Sequence, residues 1–225
     1  MTNTVSANRA MTTHRVVVTA MLCAVSIIAT LLGQLIPPVA GFLSYDPKDA
    51  VVVIAGFIYG PLTAVIISVI SSTIEMLTMS STGLYGLIMN VLSTCAFAVP
   101  AALLYKKMHN MKGAVLGLVC GMIAMTIMML LWNYIITPFY MGVERSAVVA
   151  MLPTVFLPFN LIKSGINTGL TLVLYKPLVT ALRRANLVPT STEGQKGSFH
   201  IGFALLSAVI LVTFILLFLV FTGVL

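Results

Sequence analysis

Two ionisable side chains, Glu75 and Lys163, fall inside long apolar blocks of this sequence, and four amides, Asn90, Asn133, Asn160 and Asn167, fall there with them. An ionisable group within a membrane-length apolar segment marks a functional site by default, because burying its charge unpaired is costly. An ammonium supplies hydrogen-bond donors, and an amide supplies both donors and an acceptor. Such a set suits the binding of a small polar molecule. Asn160, Lys163 and Asn167 follow i, i+3, i+7 spacing, which lines them along one face of a helix. Pro158 just before them frees a backbone carbonyl and can open the start of that helix. Glu75 has two readings, a counter-charge to Lys163 or a group at the water interface. Trp132, the only tryptophan, is either a wall for an aromatic ligand or an interfacial anchor. Amides also join membrane helices to one another, so packing is the competing role for any one of them.

Other chemistries lack their residues. The sequence holds no HExxH, GxSxG or Walker A pattern and no acidic metal cluster. Five carboxylates in the chain leave little for general acid–base catalysis, so an enzyme is not expected. Any ATP-driven process needs another subunit. Cys23, Cys95 and Cys120 lie singly in apolar blocks and read as small buried side chains; His14, His109 and His200 lie singly at block edges, so no metal site is expected.

The elements that position these residues are membrane helices. Of 225 residues, 60% are hydrophobic and 8% charged, against about 25% charged in soluble domains. The apolar residues form blocks near the ~20-residue length that crosses a bilayer as a helix. Seven segments are expected, at about Val16–Ile36, Asp49–Tyr59, Leu62–Met79, Tyr85–Tyr105, Gly113–Tyr140, Val155–Arg184 and Phe199–Val224. The second is too short to span alone, at about 16 Å, so neighbours must shield it. Met1–Arg15 is a polar cytoplasmic segment and not a cleavable signal peptide. Residues 186–198 read as a polar cytoplasmic linker, and the final segment as an appendage that faces lipid or packs passively. The basic residues set the orientation. With the N-terminus inside, nine of them face the cytoplasm, against only Lys48 and Arg145 in outward loops. The +7 charge therefore fits topology and anionic lipid rather than nucleic acid. In this orientation Glu75, Asn133, Asn160 and Lys163 lie at similar depth in the outer half of the membrane. Two outward loops flank them, Phe42–Asp49 with an Asp46-Pro47 turn, and Ser80–Gly86, whose Gly83 and Gly86 allow close backbone approach.

Four pieces in order carry a family resemblance: Tyr45-Asp46-Pro47-Lys48-Asp49 with Gly56-Phe57-Ile58-Tyr59-Gly60-Pro61, then Ser81–Asn90, Trp132–Pro138 and Leu157–Lys163. Over about Val16–Arg184 the chain resembles the substrate-binding S components of energy-coupling factor (ECF) vitamin transporters, in particular the riboflavin-specific branch. The resemblance implies an all-α, six-helix S-component bundle over residues 16–185, to which residues 199–225 add a transmembrane helix outside the family pattern. It implies riboflavin as transported ligand rather than cofactor, with Asn133 and Asn160 on its uracil-like edge and Lys163 donating to a carbonyl or ring nitrogen. The backbone around Leu43, Tyr45 and Gly83 would close over it; apart from the resemblance, the apolar rings of Phe159 and Trp132 suit them as its walls. Ala20 and Ala24 would dock the transmembrane coupling subunit, which works with two ATPase subunits. An S component for another vitamin, such as thiamine, and a proton-coupled carrier using Glu75 are the rival readings.

Overall fold

The computed structural model describes residues 2–79, 82–185 and 201–224, which are helical apart from short connections. Helix α1 (Thr2–Gly33) starts in the polar N-terminal segment, and its apolar part, Thr13–Gly33, is long enough to cross a membrane. It stops where Pro37 and Pro38 follow. The chain then folds back through residues 34–47, closing a tight hairpin at Val39 and Leu43 with reciprocal backbone bonds of 2.9 and 3.0 Å. Ala40 and Gly41 take left-handed backbone to make the reversal. The returning strand runs against the end of α1 at Gly33, where a Cβ would meet Tyr45 O and Pro47 Cδ at 2.7 Å.

Helix α2 (Lys48–Tyr59) is short, and every residue from Lys48 to Phe57 is buried. The expected shielding is complete: α1, α3, α4 and α7 surround it. Gly60, at φ 95°, breaks α2 from α3 (Pro61–Thr78), which begins on its proline. Helices α4 (Gly83–Met108) and α5 (Met111–Met141) form a close antiparallel pair. Gly117 and Gly121 bring α5 onto the backbone of Ala101 and Phe97, the small-residue contact that membrane helices use in place of a hydrophobic driving force. Asn110 caps α5 by accepting from Gly113 N at 2.7 Å.

The sixth segment begins earlier than the expected Val155. Helix α6 (Arg145–Met151) leads through a π-helical turn, Leu152–Phe156, into α7 (Leu157–Arg184). Pro158 cannot donate to a carbonyl one turn back. The backbone widens there, and Leu157 N bonds Leu152 O, five residues earlier. The last helix, α8 (Ile201–Phe221), is not a free appendage. It lies along α7 at Gly165 and Gly169, where added Cβ atoms would stand 2.3 Å from the Phe214 ring and 2.8 Å from Leu211 Cα. Residues 186–198, read as a linker, lie outside the described residues, as do Ser80 and Ser81.

Among the described residues, six helical stretches are long and apolar enough to span a membrane: α1, α3, α4, α5, the α6–α7 run and α8. Apolar side chains such as Val17, Leu32, Leu62, Leu77, Ile127 and Leu206 are exposed along them, as lipid contact requires. The main core gathers Val18, Leu22, Ala55, Ile67, Phe97, Leu118 and Met125 around α2. The chain is a multi-pass membrane protein.

Candidate ligand-binding site

Polar side chains from five helices and the 34–47 loop meet at the end of the bundle where α2 begins. Lys48 was expected in an outward loop; it is instead fully buried and forms ion pairs with Asp46 and Glu75. Pro47 starts α2 in helical backbone, which turns Lys48 inward rather than leaving it on a connecting segment. Glu75 therefore neutralises Lys48, not Lys163, and its other oxygen accepts from Asn90 Nδ2 at 2.9 Å. Asp46 also accepts from Lys48 N at 3.1 Å and Thr30 Oγ1 at 3.3 Å. Burial alone would raise the Asp46 carboxyl; Lys48 and, more weakly, Lys163 outweigh that and hold it below its ordinary range.

A second group adjoins the first. Asp49, wholly buried, accepts from Thr94 Oγ1 at 2.6 Å and Asn167 Nδ2 at 3.4 Å. Lys163 Nζ stands 3.8 Å from Asp49 Oδ2, an ion pair by charge but beyond hydrogen-bond length. Asn167 ties the loop to this centre: its amide donates to Asp46 O at 3.1 Å, and its oxygen accepts from Tyr45 OH at 3.0 Å. The ionic centre was hidden in the sequence because the Asp-Pro-Lys-Asp run reads as a solvated turn. The available signal was charge balance: Glu75 and Lys163 each need a partner, and Lys48, Asp46 and Asp49 are next to the apolar block of α2.

Of the expected ligand residues, Asn133, Asn160 and Lys163 are all buried. Asn160 and Lys163 share the inward side of α7, and Asn133 is on the buried face of α5, which packs against α7 and the π turn. Asn160 donates to Phe156 O at 2.8 Å, the last residue of the π turn. Asn133 donates to Met129 O at 2.7 Å and accepts from Thr137 at 3.0 Å. Each amide keeps a second N–H beyond these bonds, and Asn160 Oδ1 receives no hydrogen bond among the described residues. Trp132, half-buried, holds its indole N–H buried with no acceptor among them. Tyr45 and Phe159 pack with Val39, Ile162, Ile166 and Phe218, and Leu43 lies against this cluster. Phe42 reaches the π turn, its ring 5.9 Å from Phe156. Gly83 opens α4 with φ 55° and open space on its Cβ side. Ala20 and Ala24 lie on the exposed side of α1. Among the described residues no three His, Cys, Asp or Glu side chains group as metal ligands.

Fold and site together define an integral membrane helical bundle with an ionised polar centre sealed beneath a loop. Residues 14–175 match the family described as ECF transporter, substrate-specific component. The Bacillus subtilis (strain 168) riboflavin transporter FmnP is 30% identical over 189 residues, covering 79% of this chain and 100% of FmnP. The Staphylococcus aureus (strain TCH60) riboflavin transporter RibU is 27% identical over 176 residues, covering 76% and 93%. A solved structure of the S component of a bacterial ECF transporter superposes with a TM-score of 0.64 at 26% identity, over 76% of this chain and 98% of that one. The chain belongs to the family of ECF transporter substrate-specific components. Helix α8 lies beyond the residues that the family match covers.

Proposed function

We propose that this chain captures riboflavin for an ECF-type importer, holding it between Asn133, Asn160 and Lys163 under the 34–47 loop. The observation that carries this reading is the incomplete pairing of Lys163 and Asn160 inside a buried site. The Lys163 ammonium has a counter-charge at 3.8 Å and donors to spare, while Asn160 Oδ1 and one N–H of each amide are uncommitted. The uracil-like edge of a flavin alternates acceptors with an N–H donor, so amides can pair with both kinds of group and Lys163 with a carbonyl or ring nitrogen. A ligand that pairs these groups gains amide and charge-assisted hydrogen bonds in a setting largely shielded from water. The two named relatives, both riboflavin transporters, support the same ligand.

In this reading the N-terminus is cytoplasmic and the site faces outward. With Lys48 buried, Arg145, at the start of α6, is the one basic residue left of the two counted on the outward side, which supports that orientation. Leu43, Tyr45 and Gly83 close over the ligand. ATP is hydrolysed on two separate ATPase subunits, and Ala20 and Ala24, exposed one turn apart on α1, admit the close approach of a coupling-subunit helix. Titration of the purified protein with riboflavin, followed by quenching of flavin fluorescence, tests the reading. Saturation at one site below micromolar concentration is expected. No binding there, with thiamine or another vitamin bound instead, would overturn the riboflavin assignment while leaving the family role.

A further inference from the structure

Helix α8 belongs to this chain beyond the family match, and the ligand reading above gives it no task. Its placement does. Gly165 and Gly169 on α7, four residues apart, remove the side chains that would hold α8 away, so that Phe214 and Leu211 rest on the α7 backbone. This seat fixes the rest of α8. Further along the helix, the Phe218 ring, itself buried, stands 6.1 Å from the Tyr45 ring at a tilted angle. Tyr45 is the loop residue whose hydroxyl bonds Asn167, and Asn167 in turn bonds Asp46 O and Asp49, the counter-charge of Lys163. A continuous line of packed and bonded groups therefore runs from α8 through the loop to the ammonium of the site.

We infer that α8 is an intramolecular brace that keeps the 34–47 loop closed, and that Phe218 is a positioning residue for Tyr45. The aromatic ring packs against Tyr45, so the phenol is held at its bond to Asn167. The inference rests on the riboflavin reading only for its kinetic test. With the brace loosened, the loop opens more often, so bound ligand escapes faster, whereas the groups that contact the ligand are untouched.

The test uses the full-length protein and two substitutions on opposite sides of the contact. Phe218→Ala removes the ring that meets Tyr45. Gly169→Ala pushes α8 outward by placing a Cβ against the Leu211 backbone. Each is expected to raise the riboflavin dissociation rate by roughly 3- to 10-fold, the range of one aromatic contact, with the association rate and binding stoichiometry unchanged. Phe218→Tyr, which keeps the ring, is expected to restore the parental rate, and Val212→Ala, on the exposed side of α8, to leave it unaltered. A merely misfolded fraction would lower stoichiometry and not change the off-rate. A second readout needs no ligand. Val39 is buried in the loop cluster, so Val39→Cys should react with a membrane-impermeant maleimide only when the loop opens; the parent without this cysteine is the blank. Faster labelling in the Phe218→Ala background is expected. Equal labelling rates with and without Phe218 would overturn the brace, whatever the flavin kinetics. Faster labelling in a protein that binds no riboflavin would sink the ligand assignment and uphold the brace.

Discussion

Lys48 offers the sharpest test of how this bundle is held together. The substitution Lys48→Met keeps the length of the side chain and removes its charge. In the parent, the ammonium is fully buried between Asp46 and Glu75, with Asp46 also buried and Glu75 half-buried. Removing one partner of a buried pair costs about 3–5 kcal/mol, because the other charge is left without compensation; an exposed pair would cost only about 0–1 kcal/mol. For a chain of this size each kcal/mol moves the midpoint by ~2–4 °C, so a fall of roughly 6–20 °C is expected. Trp132 is the only tryptophan, which makes its fluorescence a single-site reporter of melting in detergent micelles at a fixed scan rate. Adding Asp46→Asn and Glu75→Gln to Lys48→Met should recover most of the loss, since neutralising all three groups leaves no stranded charge. The response to acid should also change sign. In the parent, Asp46 is held below its ordinary value. Its contribution is therefore complete above about pH 4, where an unfolded aspartate is ionised, and is lost as pH falls through the lower folded value. In Lys48→Met the strongest opposition to burial is gone, leaving the more distant Lys163 and the hydrogen bond from the residue-48 N–H; the carboxyl rises, and acidification stabilises the variant instead. A Lys48→Met midpoint within about 2 °C of the parent, or a triple variant melting as low as the single one, would refute the argument.

Other consequences follow from the site. Lys163→Met should weaken riboflavin by roughly 10- to 100-fold, the range of a hydrogen bond to a charged group; Asn133→Ala and Asn160→Ala should each weaken it less, by a few-fold to about tenfold, all read by flavin quenching. Tyr45→Phe deletes the 3.0 Å bond to Asn167 and should raise the ligand off-rate about fivefold at unchanged stoichiometry, measured by stopped-flow displacement. Ala20→Leu with Ala24→Leu should leave binding within about twofold yet abolish most uptake in cells that supply the coupling and ATPase subunits, because two bulky side chains prevent close helix approach. Parental uptake by that double variant would remove α1 from the docking surface.

The helices were legible from the sequence because span length and apolar blocks are local properties: the boundaries of α3, α4 and α5 lie within a few residues of those read from composition. Local reading also placed Asn160, Lys163 and Asn167 on one face, and all three are buried. What it missed was non-local. Lys48 looks like a loop cation until Glu75, 27 residues away, is folded against it. Asn167 looks like one more amide until Tyr45, 122 residues earlier, reaches it. The π turn was foreshadowed by Pro158, and a second proline, Pro153, stands in the turn itself; their missing N–H groups are visible in sequence, whereas the extra residue in the turn is not. The seat of α8 on α7 was not legible for a related reason. The composition of α8 is that of a lipid-facing span, and only the small residues of its partner, Gly165 and Gly169, reveal the contact.

The burial of α2 bears on how the protein is made. A helix of twelve residues rises only about 18 Å, against roughly 30 Å of hydrocarbon, and it begins with Lys48 and Asp49. Each such charge costs on the order of 2.5–3.5 kcal/mol when presented to lipid at mid-span. Asp46, made just before them, offers Lys48 one partner, but the other compensating groups, Glu75, Thr94, Lys163 and Asn167, are synthesised later, the last of them 118 residues after Asp49. Of the four helices that surround α2, only α1 precedes it in the chain, so its charges are fully paired only once α7 has been inserted. For this helix, assembly is completed long after synthesis.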